Sequence, residues 1–415
     1  MRRGLALMRI ALRNVLRNRR RTLITLAALL VGVSVMVSIR GVLNGLQGAL
    51  VDNVVQGQTG ALQVHRKGYR QNVLASPLTL DFESKAIADK VAAVPGVSAV
   101  APRIAFGGML AVGDETLFLF NQAIDPAAEL KVCPKRAAAM HDAGKFFGAG
   151  GVEQVADAIL VTAELEKALR PAMAKTQDPA ALLAPDRDGA LSGENATIVG
   201  KLDLSGPGDG KLAMVRLDVA QRLLKMEGRV TELAVAVDDL AHLQQTKVAL
   251  QQALGAEYEV HTWEEIASFV VDIRNMQNAL LSLVAGVFML LMLLGVANTM
   301  LMSVLDRTRE IGTMMAVGVR RQTIVTLFLL EAGFIGALGG SLGGAMGWSL
   351  SSWLSAKGIS IQLPTSDVPY VIHPHVPLHY LAAVVAIAAA GAVLFALYPA
   401  WRASRLRPAL ALAGG

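Results

Sequence analysis

Four long apolar runs divide the chain, and its longest polar stretch lies between the first and the second. Crossing about 30 Å of hydrocarbon as a helix takes about 20 predominantly apolar residues. Leu23–Ile39 with its flanks, Ala279–Leu305, Ile324–Leu354 and Leu381–Ala400 meet that requirement. The first run follows Arg19–Arg21 and has the outline of a signal-peptide core. Its 17 residues are long for such a core, and no A-x-A-like site follows, so it reads as a retained anchor.

Between the first two runs the periodicity changes. Ile87, Val91 and Val94 fall on one helical face that stops at Pro95-Gly96, and Val97–Ile104 and Leu117–Ala123 read as strands. A matching unit closes the region: Glu232–Val237 alternates as a strand, Leu243, Leu250 and Leu254 mark a helix ended by Gly255, and Tyr258–His261 is again a strand. Two such units far apart in sequence predict a split α+β layer. Residues 125–230 are then an insertion, with loop signals at Gly148–Gly151, Pro179–Gly189 and Gly206–Gly210. Thr262-Trp-Glu-Glu265 has the pattern of a capping box. No proline or glycine follows until Gly286, so a single helix is expected over Trp263–Leu305, a stalk continuous with the second span.

Composition agrees with a membrane protein: 53% of residues are hydrophobic and mean hydropathy is +0.46. Eight arginines lie within Met1–Arg21, four within Asp306–Arg321, and Arg402, Arg405 and Arg407 follow the last run. Ser355–His379 carries only Lys357. The positive-inside bias places both termini and Asp306–Arg321 in the cytoplasm, and the region after the first span outside. The net charge of +6 resides mostly in these flanks, so no nucleic-acid partner is expected. Cys133 is the only cysteine, which excludes an internal disulfide.

Asp306–Arg321 is short, yet Ile311, Met314, Met315 and Val317 give it an apolar surface that a bare connector does not need. With Arg309-Glu-Ile-Gly-Thr-Met-Met-Ala-Val-Gly318, Phe328-Leu-Leu-Glu-Ala332 and Tyr398-Pro-Ala-Trp-Arg-Ala403, the chain resembles the MacB/FtsX-like permeases of ABC systems. Val42-Leu-Asn-Gly-Leu46 and the Tyr398–Arg402 end look closest to the lipoprotein-releasing (LolC/LolE-like) members. The resemblance implies a coupling helix gripped by a cytosolic ABC ATPase dimer, through Arg309, Glu310, Ile311, Gly312, Met314, Met315, Val317, Gly318, Arg320 and Arg321. ATP and Mg would sit on that partner, since the chain has no Walker A motif and no metal or cofactor site of its own. No catalytic constellation is found, so the chain is not read as an enzyme.

Other residues each have two readings. Gly336, Gly340 and Gly344 interleave with Gly339, Gly343 and Gly347 in the third span; such ladders let helices approach closely, and we read them as packing rather than a dimer contact. Glu331 is an acid within a span and so a candidate proton site. Its place near the cytoplasmic end puts Arg320 and Arg321 in reach, and the resemblance favours a structural role. Asn298 reads as an interhelical hydrogen-bonding residue. His373, His375 and His379 are spaced by Pro374 and Pro377, which argues against a fixed helix presenting them to a metal. Asn195-Ala-Thr197 matches a glycosylation sequon by pattern alone. Phe269, Ile273, Met276 and Leu280 share one helix face and, with Ile39 and Leu43, either line a substrate cavity or pack one helix on another.

The expected fold is an α-helical membrane protein with four transmembrane helices plus a large extracytoplasmic α+β domain inserted between the first and second helices. Its expected parts are a basic cytoplasmic segment (1–22), the first span (23–43), and a periplasmic domain (44–262) with porter-like pieces (44–124, 231–262) around an inserted subdomain (125–230). Then follow the stalk and second span (263–305), the coupling helix (306–323), the third span (324–354), a periplasmic loop (355–379), the fourth span (380–400) and a tail (401–415). The protein is expected in the bacterial inner membrane as a permease subunit acting by mechanotransmission. Its expected partners are a second permease copy or paralogue, a lipoprotein or lipid substrate and a periplasmic acceptor protein. Drug, peptide or toxin export of the MacB kind, and FtsX-like regulation of a cell-wall hydrolase, are the alternatives.

Overall fold

A computed structural model describes residues 2–17, 19–75, 77–141, 146, 155–173, 180–202, 211–361 and 370–405. The predicted loops at Gly148–Gly151 and Gly206–Gly210, Pro179 and Arg407 lie outside the described residues. The helices are α1 (Arg2–Arg17), α2 (Arg19–Val54), α3 (Ser84–Ala92), α4 (Pro126–Val132), α5 (Ala163–Met173), α6 (Leu217–Leu223), α7 (Leu243–Leu254), α8 (Trp263–Ile266), α9 (Ser268–Asp306), α10 (Thr308–Ala316), α11 (Arg321–Lys357) and α12 (Leu378–Ser404). The chain divides into two compact units, one of residues 1–48, 273–359 and 371–415, the other of 49–272 and 360–370.

Among the described residues, four helices are long and apolar enough to cross a membrane: Thr22–Thr59 (α2 with the turn after it), α9, α11 and α12. In the helical unit, α11 is the hub, and its glycines explain why. A Cβ on Gly336 would lie 2.7 Å from Ala388 O, and one on Gly343 would lie 2.8 Å from Leu30 O. Gly336 and Gly340 therefore seat α12, while Gly339, Gly343 and Gly347 seat α2. Gly344 is the exception, with Leu381 Cδ2 at 3.9 Å as its nearest neighbour. Helix α9 joins through Leu293, Val296 and Met300, which pack with Leu29, Ala332, Ile335, Ala392 and Ala396. One polar contact between α2 and α9 is Thr25 Oγ1 to Thr299 Oγ1 at 2.8 Å; Asn298, expected to hydrogen-bond between helices, is exposed because its position turns away from α2.

The other unit is built on a ten-stranded sheet. Its strands are β1 (Leu62–Arg66), β3 (Val97–Val112), β4 (Glu115–Ile124), β5 (Met140–His141), β6 (Ala158–Thr162), β7 (Ala180–Pro185), β8 (Leu191–Leu202), β9 (Leu212–Arg216), β11 (Glu232–Val237) and β12 (Tyr258–Thr262). The order is β12-β1-β11-β3-β4-β9-β6-β8-β5, with β7 bridging β3 and β8. Two small ribbons stand apart, β2 (Phe82–Glu83) with β10 (Arg229–Val230), and β13 (Ile359–Ile361) with β14 (Tyr370–Ile372). The terminal α/β pieces meet through β3, which pairs antiparallel with β11, and β1, which the periodicity did not mark, pairs antiparallel with both β11 and β12.

The insertion departs from expectation. Strand β3 does not end at Ile104 but runs to Val112, pairing with β11 over Val97–Arg103, with β4 over Arg103–Val112 and with β7 at Met109–Ala111. Inserted strand β9 then adds parallel to β4. One core results, in which Ile87, Val91, Leu233 and Val260 share a cluster with Leu165, Leu169, Val219 and Leu223. The described strands of residues 125–230 thus extend the same sheet and share its largest apolar cluster. One long strand with partners on both edges is the physical reason.

The stalk also differs. Thr262 and Glu265 do form a capping box, with Glu265 N donating to Thr262 Oγ1 at 3.4 Å and Thr262 N to Glu265 Oε2 at 3.0 Å. The helix it starts lasts only Trp263–Ile266, and Ala267 leaves the helical region (φ −100°, ψ 51°) before α9 begins. No proline or glycine causes the break. Trp263, Ala267 and Val270, at and on either side of the break, are all buried against Val54, Val55 and Ala61.

Candidate coupling site

The three segments carrying the family resemblance converge on α10. Ile311 is 1% exposed and packs with Val304, Ile324, Phe328, Ala400 and Ala403. Phe328 comes from the second segment, and Ala400 and Ala403 from the third. Met314, Met315 and Val319 are half-buried at the same cluster. The helix ends at Gly318, whose φ of +92° suits a residue without Cβ. Val319 N donates to Met314 O at 3.0 Å and Gly318 N to Met315 O at 3.1 Å, a Schellman closure that folds Val319 back onto the apolar side.

The polar side of the site is built around a buried ion pair. Arg307, 6% exposed, lies between α9 and α10, and its Nη1 donates to Glu331 Oε1 at 3.0 Å and Oε2 at 3.4 Å. Asn14 Nδ2 of α1 donates to Glu331 Oε1 at 2.6 Å. Arg307 Nε stands 3.8 Å from Glu310 Oε2, and Glu310 also pairs with Arg17 of α1. The partners of Glu331 are thus Arg307 and Asn14. Arg320 and Arg321, expected to reach it, are exposed, because Arg320 occupies the extended N-cap of α11 and starts the helix facing outward.

Of the residues assigned to partner binding, Arg309, Glu310, Val317, Gly318, Arg320 and Arg321 are exposed. Val317, at 82%, is a large apolar side chain open on every side. Ile311 and Gly312 are buried within this chain and are not available to a partner, a correction that follows from α10 lying on α11 and α12. Arg307, Asn14 and Arg17 were missed by the sequence reading. The legible signal was Arg307 directly after a span that no other cation interrupts. Asn14 and Arg17 share a helix face, but which helix they meet is not written locally.

The stripe offered as a substrate cavity is open. Ile273, Met276 and Leu280 of α9 are 36%, 66% and 61% exposed, and Ile39 of α2 is 42% exposed. Leu43 is half-buried. Helix α9 meets α2 through other residues: Arg40 Nη1 donates to Asn278 Oδ1 at 2.8 Å, and Gln47 Nε2 to Gln277 and Asn278, both at 3.3 Å. Asn278 lies on the opposite side of α9 from the stripe. Phe269, in the sheet-bearing unit, is 40% exposed.

Residues 22–253 match the MacB-like periplasmic core domain family, and residues 282–408 match the FtsX-like permease C-terminal family. The chain belongs to the MacB/FtsX-like permeases. This permease is 27% identical over 413 residues to the macrolide export ATP-binding/permease protein MacB of Nitrobacter winogradskyi, covering 95% of this chain and 58% of that protein. It is 30% identical over 213 residues to MacB of Hyphomonas neptunium, covering 50% of this chain and 31% of the relative. It is 32% identical over 192 residues to the uncharacterized ABC transporter permease YvrN of Bacillus subtilis, covering 44% of each. The permease therefore spans about half or less of the length of these relatives. Its spanning helices and periplasmic core domain fit a multi-pass protein of the inner membrane.

Proposed function

We propose that this ABC transporter permease works by mechanotransmission, with α10 as the lever on which a cytosolic ATP-hydrolysing subunit presses. What carries the reading is the way α10 is mounted. Ile311 and the Arg307–Glu331 pair fix its inner side to α9, α11 and α12, while Arg309, Glu310 and Val317 face outward. A load on the outer side is therefore passed to the spans and not absorbed by a loose loop. Helix α9, with 39 residues, is roughly 58 Å long at about 1.5 Å per residue, well beyond the hydrocarbon thickness of about 30 Å. It is the rod, working in a dimer of permeases whose termini are cytoplasmic.

The substrate under this reading is an amphiphile taken from the outer leaflet, a lipoprotein or lipid, and handed to a periplasmic acceptor. The support is the open apolar stripe Ile273, Met276 and Leu280. The MacB relatives favour a second reading, export of a drug-like or peptide amphiphile through the same elements.

The test joins two measurements on the complex purified from native membranes. Glu310→Lys is expected to insert normally while losing the ATP-hydrolysing subunit or its coupling, and an unchanged complex with full activity overturns the lever. Photo-crosslinkers at Ile273 and Met276 are expected to capture lipoprotein, lipid or exported amphiphile, each identified by mass spectrometry. Crosslinks to permease helices alone remove the substrate path.

A further inference from the structure

The sheet-bearing unit contains a charged cluster that the lever and rod do not use. Arg103 on β3 and Glu129 on α4 are fully buried, and Arg136 and Glu232 are 2% and 6% exposed. Arg103 grips Glu129 with two donors, Nε to Oε2 at 2.9 Å and Nη2 to Oε1 at 2.7 Å, and reaches Glu232 Oε1 through Nη1 at 3.1 Å. Arg136 Nη1 donates to Glu129 Oε1 at 2.6 Å. Burial pushes the Glu232 carboxyl up from its ordinary range, and would do the same to Glu129, but Arg103 and Arg136 more than offset it and hold Glu129 low.

The remaining donors of this cluster converge on one piece of backbone. Arg136 Nε donates to Gly57 O at 3.1 Å and Nη2 to Gln58 O at 2.8 Å, while Arg103 Nη1 reaches Thr59 O at 3.4 Å. Cys133 Sγ stands 3.7 Å from Val55 O. These carbonyls belong to Val55–Thr59, the wide π-type turn that ends α2, closed by Gly60 N donating to Val55 O. Lys135 pairs with Asp52 one turn earlier. Stability alone does not call for such a cluster, since apolar replacement of buried ion pairs is often neutral or stabilising. What guanidinium groups add is direction: a rigid planar fork holds successive carbonyls in one orientation, where apolar contacts would let the turn rotate.

We propose that the Arg103–Glu129–Arg136–Glu232 cluster is a rigid joint that locks the turn ending α2 to the sheet, so that movement of this helix end is delivered to the sheet and not absorbed in the turn. The mechanical consequence rests on the mechanotransmission reading; the locking does not.

Hydrogen exchange on the full-length permease in lipid nanodiscs tests both. Arg136→Met removes two carbonyl contacts while Arg103 still pairs with both carboxylates. Exchange in peptides covering residues 50–63 is expected to rise about ten- to a hundred-fold, with β3 and β4 unchanged. Arg136→Lys keeps the charge but not the fork, and is expected to leave the turn loosened while sparing the fold if the methionine variant does not assemble. Wild-type exchange in the turn of Arg136→Met, rescue by lysine, or a rise spread over the whole sheet overturns the joint. In the complex from native membranes, ATP is expected to change exchange in the wild-type sheet and not in the Arg136 variant. A loosened turn with the ATP-driven change intact overturns the delivery of movement. No ATP-driven change in the wild type refutes mechanotransmission instead.

Discussion

Replacing Glu331 with leucine probes how α10 is mounted. Glu331 is 3% exposed and is the carboxylate hydrogen-bonded to Arg307, at 3.0 and 3.4 Å; Glu310 approaches Arg307 no closer than 3.8 Å. Nε and Nη2 of Arg307 already lack hydrogen bonds among the described residues. Glu331→Leu therefore strands a buried guanidinium, at a cost of about 3–5 kcal/mol. Asn14 also loses its 2.6 Å acceptor. The double variant Arg307→Met/Glu331→Leu removes both charges and replaces them with side chains of similar volume, so it is expected to be close to wild type in stability. The coupling between the two positions is then at least about 2 kcal/mol. Denaturation of the purified permease in mixed micelles, followed by tryptophan fluorescence, gives the four stabilities of the cycle: wild type, Arg307→Met, Glu331→Leu and the double variant. Additive effects, or a cost below about 1 kcal/mol for Glu331→Leu, refute the buried pair as the mount of α10. A stable double variant that still couples to ATP hydrolysis would also dismiss Glu331 as a proton carrier.

Two further outcomes follow from the same structure. Gly343→Ala places a methyl 2.8 Å from Leu30 O and is expected to cost about 1–3 kcal/mol in the same assay, whereas Gly344→Ala meets nothing closer than 3.9 Å and is expected to be neutral. Cys133 is fully buried and burial pushes its thiol up, so a membrane-impermeant maleimide is expected to label it from outside only after mild denaturation. Cysteine in Thr308→Cys is expected to stay unlabelled from outside, and the reverse pattern overturns the orientation set by arginine placement.

Much of this permease was legible locally. Run length alone marks the four spans, because a helix in hydrocarbon must satisfy its backbone within itself and present apolar side chains throughout. The α/β pieces at the two ends of the sheet-bearing segment were readable for a similar reason: α7, β11 and β12, for example, each carry a single period and end at Gly255 or another turn signal. The coupling segment announced itself by apolar residues that a connector has no use for.

What the chain could not state locally were its long-range contacts. The break at Ala267 has no proline or glycine to mark it, and Trp263 and Val270 on its two sides are buried in one cluster with Val54 and Ala61, some two hundred residues earlier in the chain. The extra length of β3 rests on its pairing with β4 and β7, and β9, added to β4, carries the insertion into the same sheet. The two glycine ladders were visible, but only packing assigned α12 to one and α2 to the other, and left Gly344 open. The same holds for charge. Arg103 and Arg136 look in sequence like any other arginine, and the place of Arg307 after a span does not name its partner. Each is removed from water by a fold that brings Glu331 or Glu129 to it from another element, and a buried charge is tolerable only where such a partner arrives.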